Sequence, residues 1–249
     1  MARDVLENKE KHPMEHPQVV VIGGSSGIGL GIAGRLLADG ANVTIAARSA
    51  DRLAAAEREL GAGERLRTIV TDVSQEGQVE RLFASTGPVD HIVCTAVDAV
   101  GAYQPIRRLD LTSIQKLVNA KLYGALLIAK HGTARGSITY TSGIAAYRPA
   151  AGGSVVAAVN GALGSLAAAL AIELAPVRVN AISPGWVDTP VWDAIAGDAK
   201  AERLAAMAAR LPAGRIGSPA DIAEAVLALV HNGFITGTVL HVDGGHRLV

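Results

Sequence analysis

The chain contains one cysteine, Cys94. An intramolecular disulfide is therefore impossible, a disulfide-stapled secreted scaffold is excluded, and a reducing, cytoplasmic setting is expected. A charge excess is also missing, with 23 basic against 23 acidic side chains. Neither nucleic acid nor an anionic membrane surface is an expected partner, which leaves a small molecule. The first residues lack the apolar run of a secretory leader: Met1 to Gln18 is charged and proline-bearing, and residues 1–17 read as a loose tail. His12 and His16 stand four apart there, but Pro13 and Pro17 break the helix that would bring them together, so no metal site is expected. Long uncharged stretches are equally rare. Val155 to Ile172 approaches membrane-spanning length, yet alanine and glycine dominate it and Asn160 interrupts it. A buried helix packed against a partner subunit is expected there, with no membrane span.

What is present is aliphatic material in quantity: 49% of the 249 residues are hydrophobic, enough for a large core in one domain over residues 18–249. Val19 to Ile22 is a β-branched run ending in glycines, and Ile28, Ile32, Leu36 and Leu37 then recur at helical spacing up to the stop Asp39-Gly40. Asn42 to Ala46 reads as the next strand, and Ser49 can cap a helix from about Ala50 to Leu60. Further strands are expected near Leu66 to Val70, His91 to Thr95, Ser137 to Thr141, Arg178 to Ser183 and Thr238 to Val242. The helices between them include Thr112 to Lys130, Val155 to Ala175 and Pro219 to His231. This alternation implies right-handed crossovers and an α/β fold: a doubly wound parallel sheet in a three-layer αβα sandwich.

The segment Gly23-Gly24-Ser25-Ser26-Gly27-Ile28-Gly29 falls where the first strand turns into the first helix. Glycines there let the backbone approach a pyrophosphate, and the helix start offers free N–H groups and the positive end of its dipole. Together with the later Ser183-Pro184-Gly185-Trp186-Val187-Asp188-Thr189-Pro190 and the closing Thr236 to Gly245, this loop resembles the classical short-chain dehydrogenases/reductases over roughly residues 18–248. The resemblance implies a Rossmann fold binding a nicotinamide dinucleotide through Gly23, Ser25, Ser26, Gly27, Ile28 and Gly29. Ile22 stands where a threonine is usual. Ala47 occupies the position of the carboxylate that holds the ribose hydroxyls in NAD-preferring sites, and Arg48 follows it. A guanidinium without that carboxylate favours a 2′-phosphate, so NADP(H) is expected, with NAD(H) as the alternative. Asp72-Val73 matches the family's adenine contact, although an acid before a helix is also a routine cap. Thr95 and Ala96 lie in the place of the family's Asn-Asn-Ala-Gly, where Cys94 reads as an inert buried strand residue. Pro184, Gly185, Val187 and Thr189 match the loop that holds the nicotinamide carboxamide.

The chemistry that the resemblance implies uses a serine, a tyrosine, a lysine and a supporting asparagine, because a phenol titrating near 10 needs a nearby cation to exchange protons at neutral pH. This chain departs from that set. Glu173 and the apolar pattern before it set Val156 at the tyrosine and Asn160 at the lysine, while Gly143 falls at the serine with Ser142 one residue earlier. On the helix from Thr112, Lys121 falls at the asparagine, so lysine and asparagine are exchanged between two helices. Lys121 restores the charge in one reading, with Asn160 on the ribose, and is a solvated or subunit-contact lysine in the other. Ser142 is a candidate for touching substrate, and Tyr147 is a candidate substitute phenol, with Tyr123 and Tyr140 also near in sequence. The two tryptophans, Trp186 and Trp192, fall in the segment expected to cover an apolar or ring-bearing substrate, with core packing as the alternative reading.

The expected function is NADP(H)-dependent reduction of an activated C=C bond, as in an enone or enoyl thioester. That reaction asks less of a positioned acid than carbonyl reduction does. A carbonyl reductase with relocated Tyr147 and Lys121 is the alternative, and a catalytically silent NADP(H)-binding scaffold or sensor is a further one. A homodimer or homotetramer is expected through the Ala/Gly-rich helix.

Overall fold

Strands covered on both faces must be apolar throughout, and the β-branched run at the start of the described chain meets that demand. In the computed structural model, which describes residues 16–249, β1 (Gln18–Ile22) has Val19 to Ile22 buried. It lies third in a seven-stranded sheet of order β3-β2-β1-β4-β5-β6-β7, parallel throughout. The other strands are β2 (Asn42–Ala47), β3 (Leu66–Val70), β4 (Val89–Cys94), β5 (Ala134–Thr141), β6 (Arg178–Pro184) and β7 (Val239–Val242). Most of the expected tail, including His12, lies outside the described residues. His16 Nδ1 is 2.9 Å from the Gly40 carbonyl oxygen.

The helices cover both faces, as right-handed crossovers require. On one side α1 (Gly27–Ala38), α2 (Ala50–Leu60) and α9 (Pro219–His231) enclose a core that includes Ile32, Leu36, Leu53, Ile222 and Val226. On the other, α3 (Glu76–Thr86), α5 (Gly124–His131) and α6 (Ser154–Glu173) enclose Leu82, Phe83, Ile128, Leu163 and Leu170. The ends follow local capping chemistry. Ser49 accepts the Arg52 N–H at the start of α2, and Ser218 and Asp221 form a reciprocal capping box with Pro219 in the first turn of α9.

The helix expected from Thr112 to Lys130 is interrupted. Asp110 accepts the Thr112 and Ser113 N–H groups and starts α4 at Leu111. The chain then passes from α4 (Leu111–Val118) through a π-helical segment, Asn119–Tyr123, into α5. Such a widened turn inserts a residue into the helical register and is common at functional sites; here it carries Lys121. Among the described residues α6 alone is long and apolar enough to cross a membrane. In the fold its Val156, Val159, Leu163, Ala167 and Leu170 are buried. Two short helices, α7 (Val191–Ala196) and α8 (Lys200–Ala208), follow β6.

Candidate active site

In a doubly wound sheet the ligand crevice opens at the carboxyl ends of the strands where the order reverses, here between β1 and β4. A cavity of about 350 Å³ occupies that position, and all of the residues expected at the cofactor line it. The glycine loop forms its floor. Gly23 has φ +87°, and a Cβ there would stand 2.6 Å from Thr95 Oγ1. A Cβ on Gly29 would run into the Gly23 carbonyl. Ser26 at the N-cap of α1 makes no side-chain cap bond and no acid stands in the first turn, so the first N–H groups and the positive dipole end face the cleft. Buried Thr71 Oγ1 and Thr141 Oγ1, on opposite flanks of this loop, find no hydrogen-bond partner among the described residues. A narrow backbone cradle, free N–H groups and waiting hydroxyls suit a phosphate-bearing ligand.

At the adenosine end Ala47 is buried and Arg48 is half-exposed. The Arg48 guanidinium is engaged: it donates to Asp98 Oδ2 at 2.7 Å. Arg52, in the first turn of α2, also lines the cleft, a second cation four positions after Arg48 that the sequence reading overlooked. Asp72 does not cap α3, whose N-cap is Gln75. It lines the cavity while Oδ1 accepts from Ser74 N and Ser74 Oγ, with Val73 buried behind it against Gly124.

At the nicotinamide end the exchanged residues meet. Lys121, from the π segment, donates to the Ser142 carbonyl at 2.9 Å and to Asn160 Oδ1 on α6. The solvated-lysine reading is thereby corrected, because the amine is buried. Burial lowers its pKa from 10.5 to about 8, with the Cys94 thiol opposing that shift weakly. Burial pushes the Cys94 thiol itself up to about 11, so it stays protonated and unreactive at neutral pH. Ser142 reaches the wall, but its Oγ donates to the Asn160 carbonyl at 2.8 Å and its side chain is buried. It anchors α6 to β5 and does not offer a hydroxyl to substrate. A Cβ on Gly143 would stand 2.8 Å from Asn160 Nδ2, so the missing serine and the asparagine on α6 fit one another sterically.

Tyr147 is a correction. It lies outside the cavity lining, its ring packs edge-on against His241 with centroids 4.4 Å apart, and its hydroxyl faces Gly164. The turn Ile144–Ala146 carries the chain past α6 before Tyr147 is reached. Tyr140 is buried with its hydroxyl on the Ala125 carbonyl, and Tyr123 is exposed. The phenol that does line the cavity is Tyr103, from the loop after β4, which lies against Gly153 at the start of α6. It is 47% exposed, and the partial burial of its ring raises the phenol's pKa. Nothing in its local sequence marks it, since its neighbour Gly153 is 50 positions away. Opposite, Trp186 and Trp192 stack with centroids 4.3 Å apart, and Trp192 Nε1 is fixed by the Val187 carbonyl. Val156 completes an apolar wall.

This geometry has close counterparts. The profile of the family described as enoyl-(acyl carrier protein) reductase matches residues 22–247. The chain is 34% identical over 244 residues to the short-chain dehydrogenase/reductase ATR9 of Stachybotrys chlorohalonatus, covering 91% of this chain and 95% of that protein. Among solved structures it is similar to the MalC reductase/Diels-Alderase of Malbranchea aurantiaca, with a TM-score of 0.87, 31% identity, and coverage of 94% of this chain and 98% of that one. A small-chain dehydrogenase in complex with NADPH matches with a TM-score of 0.81 and 32% identity, covering 94% of this chain and 100% of that one.

Proposed function

This chain belongs to the short-chain dehydrogenase/reductase family of NAD(P)-dependent oxidoreductases, and from that premise we propose that it uses NADP(H) to reduce an electron-poor carbon–carbon double bond. The cofactor's hydride is the chemistry the dinucleotide supplies when bound. Gly23 to Gly29 and the start of α1 would hold its pyrophosphate, and Pro184, Gly185, Val187 and Thr189 its carboxamide end. Arg48 and Arg52, facing the cleft where Ala47 leaves no carboxylate, would grip the 2′-phosphate. A relative of known structure binds NADPH.

The observation that carries the choice of reaction is the buried Lys121 amine in a cleft whose tyrosine position is Val156. An ammonium has three donors. Two are engaged by Ser142 O and Asn160 Oδ1, and the third is available to a substrate oxygen. When hydride reaches the β-carbon of a conjugated C=C, negative charge gathers on the carbonyl oxygen, a desolvated cation stabilises that charge, and a proton from Lys121 or from water then reaches the α-carbon to complete the reduction. Asn160 Oδ1 holds the amine in place, and Val156 and the stacked tryptophan pair offer apolar surface to an apolar or ring-bearing substrate. The matching profile is itself that of an enoyl reductase.

Tyr103 favours one second reading, carbonyl reduction with a phenol from the β4 loop. An NADPH-consumption screen of ketones, aldehydes, enones and enoyl thioesters, run beside a binding titration, separates the readings. Turnover of enones or enoyl thioesters alone supports the first. Turnover of ketones that is lost in Tyr103→Phe supports the second, and tight binding without turnover identifies a silent scaffold. The exposed side chains Leu126 and Ile172 on α5 and α6 support a homo-oligomer through these helices, and sedimentation as a monomer at micromolar concentration would remove that idea.

A further inference from the structure

The Arg48–Asp98 pair has a position that matters for cofactor choice. Arg48 directly follows β2, Asp98 lies four residues beyond the end of β4, and β1 runs between those strands. The 2.7 Å contact therefore spans the adenosine end of the cleft above the point where the glycine loop leaves β1. The Asp98 side chain is 16% exposed and that of Arg48 48%. The carboxylate is thus held inside the loop while its cation faces solvent and the cleft. Val97 and Ala99, on either side of Asp98, line the cavity, as does Arg52, whose guanidinium has no partner among the described residues.

We infer that Asp98 is a specificity-determining residue: an internal anion that competes with the cofactor's 2′-phosphate for Arg48 and so weakens the preference for the phosphorylated dinucleotide. This rests on the reading that Arg48 receives that phosphate. Two effects act in the same direction. One edge of the guanidinium fork is already occupied by a full negative charge, which must be given up or shared before phosphate is gripped on both nitrogens. A phosphate seated on the other edge stays within a few ångströms of the carboxylate, in a partly desolvated place where like charges repel more strongly than in water. Neither effect acts on a ribose that carries only hydroxyls. Asp98 brings from the β4 loop the charge that Ala47 lacks at the end of β2. Arg52 supplies the cation that lets the phosphate bind in its presence.

Titration calorimetry of the full chain with the adenosine fragments 2′,5′-ADP and 5′-AMP tests this without turnover. Asp98→Asn and Asp98→Ala should both tighten 2′,5′-ADP about tenfold, or 1.4 kcal/mol, and leave 5′-AMP within threefold. Arg48→Ala should weaken 2′,5′-ADP and leave 5′-AMP unchanged. If Arg48→Ala weakens 2′,5′-ADP while both Asp98 variants bind it no more tightly than the unmodified chain, Asp98 only orients the guanidinium and the inference is overturned. If Arg48→Ala has no effect on 2′,5′-ADP, the assignment of the phosphate to Arg48 fails instead, and the competition falls with it.

Discussion

Replacing Lys121 by Met removes the ammonium and keeps a side chain of similar length. The native amine has a pKa of about 8 against 10.5 for the free group, so holding it charged costs the fold about 3 kcal/mol below pH 8. Its removal relieves that cost. It also leaves Ser142 O and Asn160 Oδ1 without their donor, at about 1–3 kcal/mol each. The two effects oppose and are similar in size, so stability at pH 7 should change by less than about 3 kcal/mol. Catalysis has no such compensation. Loss of a preorganised donor at a developing oxyanion costs roughly 100- to 1,000-fold in turnover. The pH dependence separates this from a structural effect. The lysine must be protonated to act, so kcat/KM of the unmodified enzyme should fall as pH rises through about 8, and Lys121→Met should lack that limb. Stability runs the other way: between pH 8 and 10.5 the unfolded chain binds the proton and the native one does not, so unmodified stability rises with pH across that window. Steady-state rates from pH 6 to 10, with urea unfolding at pH 7 and 9.5, read both. Turnover of Lys121→Met within threefold of the unmodified enzyme, with a normal alkaline limb, would refute the role given to this residue.

Three further outcomes are expected. Tyr147→Phe should leave turnover of every substrate within twofold, because the ring lies on His241 outside the cavity; a tenfold loss would return Tyr147 to the chemistry. Gly29→Ala should weaken NADPH binding at least tenfold and lower the melting temperature, because the new methyl meets the Gly23 carbonyl; unchanged affinity in a fluorescence titration would show that the loop does not cradle the pyrophosphate. Asp221 is held well below the carboxylate range by Arg215 and then by the Ser218 backbone N–H. Its stabilisation is present above the unfolded pKa near 4 and lost as pH falls below it. Asp221→Asn should cost about 1–2 kcal/mol at pH 7 and less at pH 3 in chemical denaturation, and a cost that did not vary with pH would exclude an electrostatic origin.

Sequence alone determined the parts of this protein that depend on neighbours along the chain. The β-branched run Val19 to Ile22, the glycines after it and the helical spacing from Ile28 place a strand, a tight turn and a helix start that suffice for the phosphate cradle, and the alternation of such units along the chain implies the parallel sheet. Ser49 and Ser218 similarly announce α2 and α9, because capping is satisfied three residues on. Tertiary structure decided what depends on side-chain direction across elements. Lys121 and Asn160 are 39 residues apart, and only the widened turn at Asn119–Tyr123 and the packing of α6 on β5 aim them at one another. Tyr147 and Tyr103 both sit in irregular segments, where no periodicity says which way a ring will point; the first turned out of the cleft and the second into it. Arg48 is legible as a cation at the end of β2, but its pairing with Asp98, 50 residues later, exists only because β4 was laid down on the far side of β1.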